Sequence, residues 1–101
     1  KCAADYQIPL VTQNPQDIFD NPDIQAVIIC SSTDTHAAFI SQAAKAGKHI
    51  FCEKPIALDL AVLDQALADV ERSGVKLQLG FNRRFDPNFK AARSAVVEGK
   101  I

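Results

Sequence analysis

Apolar and polar positions along this chain fall into blocks of distinct period. "QAVIICS" (Gln25 to Ser31) is a continuous apolar run rich in β-branched residues. Such a run predicts a strand buried on both faces, as in a parallel sheet. In "TDTHAAFISQAAKAGK", Ala37, Ile40 and Ala44, with Gly47 beyond them, approximate helical spacing, and Lys45 with Gly47 forms a stop signal. "HIFCE" (His49 to Glu53) predicts a second strand. Asp59 then caps a helix with the apolar stripe Leu60, Leu63, Leu67 and Val70, ended by Arg72 and Gly74. "VKLQLGF" (Val75 to Phe81) alternates Val75, Leu77 and Leu79 with Lys76 and Gln78, the period of a third strand. A last helix is predicted from Pro87 to Glu98, with Phe89, Ala92 and Val96 on one face. Upstream, "NPQDIFDNPDI" predicts a short helix capped by Asn14, with Pro15 at its first position and Asn21-Pro22 as its stop.

The order is helix, strand, helix, strand, helix, strand, helix. Parallel strands need long crossovers, and the helices supply them. The expected fold class is therefore α/β, three layers deep, with right-handed crossovers. One boundary stands out near Gly80, where "GFNRRFDPNF" turns from apolar alternation to polar and aromatic residues.

Composition narrows the function classes. A chain of 101 residues makes one small domain, and 48% hydrophobic residues can fill its core. A net charge of −1 argues against a general nucleic-acid or anionic-membrane binder. No apolar run approaches the roughly 20 residues of a membrane span. Cys2, Cys30 and Cys52 are odd in number and widely spaced. Cys30 and Cys52 lie in apolar strands, so buried thiols in a reducing, cytoplasmic compartment are expected. No CxxC or His-x-x-x-His spacing is present, and no metal site is expected.

Ligands of open α/β sheets bind at the carboxyl ends of the strands. Three polar stretches are expected there: "SSTDTH" (Ser31 to His36), "CEKP" (Cys52 to Pro55) and "GFNRRFD" (Gly80 to Asp86). The hydroxyls and helix-start amides of the first can hold a phosphate, a ribose or an amide. They can equally serve plain capping by Asp34 or Thr35, with His36 facing solvent or supporting the cap. Cys30 followed by a basic residue in the sixth place resembles the Cys-x5-Arg loop of cysteine phosphatases. His36 stands where the arginine belongs and cannot grip phosphate bidentately, and Asp34 repels it. In the second stretch, Lys54 can polarise a substrate oxygen or carry a proton. Glu53 can orient Lys54 or offset its charge, and Pro55 restricts Lys54 to extended geometry, with a cis bond as one alternative. A surface turn is the plainer reading of Glu-Lys-Pro alone. In the third stretch, Arg83 and Arg84 lie among Phe81, Phe85 and Phe89, read as arginines at a ligand edge beside buried phenylalanines.

Taken in order, His36, "AGKH" (Ala46 to His49), "EKP" and "GFNRRFD" are the specific combination. Over nearly the whole chain, from about Ala4 to Ile101, the sequence resembles the glucose–fructose oxidoreductase and inositol dehydrogenase family. "GFNRRFDPNF" is most similar to its inositol 2-dehydrogenase branch. The resemblance implies the C-terminal half of a Rossmann-like parallel sheet, plus the first helix leading to a substrate domain. Residues 1–80 would be a partial dinucleotide-binding domain and residues 81–101 the start of the connection. It implies Lys54 as the catalytic residue at the junction of nicotinamide and substrate. It implies that Ser31, Ser32, Thr33, His36, Glu53 and Lys54 line the cofactor, NAD with NADP as the alternative. Asn82 and Arg83 would lie on the substrate side. The implied reaction oxidises a secondary alcohol of a polyol or sugar, myo-inositol foremost, in a homo-oligomer. The departures are a missing glycine-rich dinucleotide turn and missing downstream partners of the lysine. They make the chain an expected interior fragment, inactive alone. The competing expectation is a non-catalytic, self-associating α/β module.

Overall fold

The strands form where the sequence runs apolar or alternates, and glycines or capping carboxylates punctuate the helices between them. The computed structural model describes residues 2–101. In chain order it contains α1 (Cys2–Asp5), α2 (Gln16–Phe19), β1 (Ala26–Ile29), α3 (Thr33–Lys45), β2 (His49–Cys52), α4 (Leu60–Ser73) and β3 (Leu77–Leu79). A 3-10 turn (Asn82–Phe85) and α5 (Pro87–Val97) follow. The sequence reading anticipates neither α1 nor the 3-10 turn.

The sheet is parallel, in the order β1-β2-β3. Its register sets Val27, Ile50 and Leu77 in one row and Ile29, Cys52 and Leu79 in another. These rows pack with Ala37, Ile40, Ala43 and Ala44 of α3 and Ala66 of α4. The alanines let α3 approach the sheet closely, and α3 also packs along α4. The intervening row is Ile28, Phe51 and Gln78. Ile28 is 75% exposed. The expectation that β1 is buried on both faces, within three layers, is thus overturned. Because strand order follows chain order, right-handed crossovers deliver α3 and α4 to the same face. The molecule has two layers and one open sheet face.

Helix ends follow local chemistry. Asp59 Oδ1 accepts a hydrogen bond from the Val62 amide at 3.0 Å, and Gly74 closes α4 at φ 67°. That left-handed cap is where glycine is needed. Asn14 Oδ1 accepts from the Gln16 amide at 3.2 Å, as its capping role requires. Asp34 and Thr35 are not caps: Ser32 holds that position without a side-chain bond, and both residues lie in the first turn of α3. The apolar stripe of α4 also differs. Leu60 is 78% exposed, and the inward positions are Leu63, Ala66 and Val70 with the buried Asp69. A buried carboxylate, met by partners that reach in from exposed positions, takes a place that periodicity assigns to an apolar residue.

Beyond Gly80 the chain leaves this body. The 3-10 turn packs on α5, and no residue of α5 is buried. The radius of gyration is 17.0 Å, against about 13 Å for a compact chain of this length. Both this arm and the exposed N-terminal stretch before α2 lie outside the packed body.

Candidate active site at the carboxyl edge of the sheet

Parallel pairing brings the three strand ends to one edge and continues into the turns. The Glu53 amide donates to the Ile29 carbonyl at 3.0 Å, and the Gly80 amide to the Cys52 carbonyl at 2.9 Å. The turns after β1, β2 and β3 are therefore neighbours, although about 25 residues separate each from the next, the span of one βα unit.

His36 ties the first two turns. Its ring is only 2% exposed. Nδ1 lies 2.7 Å from the Pro55 carbonyl and Nε2 lies 3.0 Å from the Ser31 carbonyl. An N–H on either nitrogen thus finds an acceptor within the protein. The residue faces neither solvent nor an open ligand space; it braces the loop behind Ser31 against the turn holding Lys54. The same geometry removes the phosphatase-like reading, since the ring is committed to backbone carbonyls. The Cys52 thiol is pushed up to about 11, by burial first and then by Cys30 and Glu53. Cys30 itself is exposed, which corrects the expectation of a buried thiol. Two residues beyond Ile28, it continues the row on the open face of the sheet.

The peptide bond between Lys54 and Pro55 is cis. Lys54 is exposed, and none of the three ion pairs among the described residues includes its ammonium. Glu53 does not orient that ammonium as expected. Its Oε2 instead faces the Lys54 amide at 3.4 Å, and its carboxylate lies against Gly80.

Lys54, Asn82 and Arg83 share a cavity of about 540 Å³ with Phe81 and Arg84. Ser31, Ser32 and Thr33 lie outside it, on the neighbouring turn, where Ser31 Oγ is 2.6 Å from Thr35 Oγ1. The guanidinium of Arg83 stands 5.0 Å from the ring centre of Phe89, a cation–π distance. The phenylalanines here are not buried: Phe81 is 55% and Phe85 83% exposed. Among the described residues no cluster of histidine, cysteine, aspartate or glutamate could hold a metal ion. No helix among them is long and apolar enough to cross a membrane. The sequence reading missed one buried cation, Lys48, whose ammonium donates to the Asn21 carbonyl at 2.6 Å. Its position just after the Gly47 turn, where the chain re-enters the core, was the available signal.

The chain is 45% identical over 89 residues to a myo-inositol 2-dehydrogenase of Thermotoga maritima, covering 88% of this chain and 27% of that protein. It is 54% identical over 79 residues to an inositol 2-dehydrogenase of Rhizobium meliloti, covering 78% of this chain and 24% of that protein. Its fold matches scyllo-inositol dehydrogenase from Lactobacillus casei, solved with NAD(H) and scyllo-inositol bound. The TM-score there is 0.78, with 39% identity, 88% coverage of this chain and 26% of the other. The chain thus spans about a quarter of the length of these relatives. The family model described as oxidoreductase family, NAD-binding Rossmann fold, matches residues 1–81. On sequence and fold together, the chain belongs to that oxidoreductase family.

Proposed function

We propose that the complete polypeptide carrying this segment oxidises a secondary alcohol of an inositol-type polyol, with Lys54 as the catalytic residue. The observation that carries this is the cavity at the carboxyl edge of the sheet. It joins Lys54, whose ammonium lies outside every ion pair among the described residues, to Asn82 and Arg83. The names of the relatives support inositol as the substrate class.

The residues present fit NAD at this edge. Ser31 and Ser32 are exposed, and no side chain caps the start of α3, so the Thr33 and Asp34 amides remain available to an oxygen-rich ligand. NAD held there would supply the hydride acceptor for the carbinol carbon. The protein does the rest. Lys54 Nζ, as the neutral amine, meets the hydroxyl oxygen, takes up its proton as the hydride leaves, and passes that proton on to solvent. Asn82 and Arg83 offer donors to neighbouring hydroxyls of the polyol and fix which carbon faces the cofactor. Ser31, Ser32 and Thr33 contact the cofactor from the next turn, and His36 keeps that turn and the Lys54 turn in register. The carbinol loses a hydride and a proton, so the product is a ketone.

Steady-state kinetics of the complete polypeptide with myo- and scyllo-inositol test this. Lys54→Ala should lower kcat by about 10²–10⁴-fold, the usual contribution of a positioned proton-transfer group. Lys54→Arg should fall with it, because the guanidinium does not give up its proton. Wild-type turnover in either variant removes Lys54 from the mechanism.

A further inference from the structure

Gly80 is buried at the end of β3. Its φ is not among the positive values, which belong to Gly47, Gly74 and Gly99. Backbone freedom is therefore not what calls for glycine here. Space is. A Cβ added to Gly80 would stand 2.9 Å from Glu53 Oε2 and 3.1 Å from both Cδ and Oε1. The whole carboxylate thus occupies the place where any other residue carries a carbon. That carboxylate is in no ion pair among the described residues, and its contact with the Lys54 amide is long, at 3.4 Å. Few polar contacts fix it, so the shape of its surroundings does.

We propose that Gly80 is a positioning residue: the missing side chain at the end of β3 sets where the Glu53 carboxylate stands beside Lys54. The proposal rests on the reading of the Glu53–Lys54 turn as the nicotinamide and substrate edge. A carboxylate held there accepts hydrogen bonds from vicinal hydroxyls, which a ribose and a polyol both present. Being the far end of a flexible side chain, it can move aside for a methyl group without disrupting the sheet. Gly80→Ala should therefore spare the fold and misplace the acceptor.

The test is a double-mutant cycle in the complete polypeptide. Gly80→Ala, Glu53→Ala and the double variant are compared by melting temperature, calorimetric NAD affinity, and KM and kcat for inositol. Gly80→Ala should melt within a few degrees of wild type and lose about tenfold in NAD affinity or polyol KM, the scale of one charge-assisted hydrogen bond. It should add no further loss to Glu53→Ala. Glu53→Asp, one methylene shorter, should restore part of the loss when combined with Gly80→Ala. A full additional loss in the Glu53→Ala background overturns the proposal, and so do wild-type constants in Gly80→Ala or in Glu53→Ala. Should Lys54→Ala retain wild-type turnover, the reading of the site fails separately. A crystal structure of Gly80→Ala then decides the positioning claim: a displaced carboxylate supports it and an unmoved one overturns it.

Discussion

At the scale of single residues, His36 is a polar side chain whose ring contacts two of the three turns. Its two contacts run to main-chain carbonyls, at 2.7 and 3.0 Å, from a ring that is almost fully buried. Removing the ring leaves a void and takes away the N–H that one of those carbonyls accepts from. His36→Ala should lower unfolding stability by about 1–3 kcal/mol, the cost of such losses. His36→Gln, with one amide that can reach one carbonyl, should fall between. Urea denaturation checks both, and a wild-type midpoint in His36→Ala would defeat the brace. The role was hard to read beforehand because a carbonyl partner leaves no mark in sequence: Ser31 and Pro55 contribute atoms that any residue has. Lys54, Asn82 and Arg83 were more legible. Their order along the chain, combined with the strand periodicity, predicted a common edge, and they share a cavity. The space at Gly80 exists only once β2 and β3 lie side by side, so no one-dimensional pattern announces it.

At the scale of elements, α3 and α4 are pinned by one buried carboxylate. Asp69 Oδ1 accepts from Arg72 at 3.1 Å and from Gln65 at 3.3 Å, and Lys45 of α3 stands 3.3 Å from Oδ2. The nearby Ser41 hydroxyl, then Lys45 and Arg72, hold its pKa below the ordinary aspartate range, against the opposing effect of burial. A lowered folded-state pKa contributes stability that is present above the unfolded value, about 3.9, and is lost as pH falls through the folded one. Asp69→Asn should therefore melt below wild type at pH 7, and the gap should narrow in acid. Equal gaps at pH 7 and at the lowest pH that keeps the fold would remove this assignment. Periodicity located α4 but misplaced its inner stripe, because it cannot value a carboxylate whose partners are spread over two helices. It succeeded where the signal is local, at the Asp59 cap and the Gly74 stop.

At the scale of the whole molecule, the sheet has one covered face and two edges without a strand neighbour. β1 and β3 are the outer strands, and β1 carries the exposed Ile28. Unpaired edges with apolar side chains template pairing with another chain. The isolated 101-residue chain should therefore self-associate, and Ile28→Lys should shift it toward monomer. Light scattering after size exclusion measures this, and a monomer at every concentration would defeat the expectation. The two-layer build was not legible because a continuous apolar run looks the same whether its second face is covered or bare. The handedness of successive crossovers, which decides the matter, is a property of strand order.

The contacts at the carboxyl edge distribute constraint unevenly. Main-chain carbonyls anchor the His36 brace, so Ser31 can change without breaking it while His36 cannot, and Gly80 keeps the place that the Glu53 carboxylate fills. Variation in this segment should therefore concentrate on the residues that meet the ligand. Two positions that need touch no ligand, one on a helix and one at a strand end, keep that edge in shape while its specificity drifts.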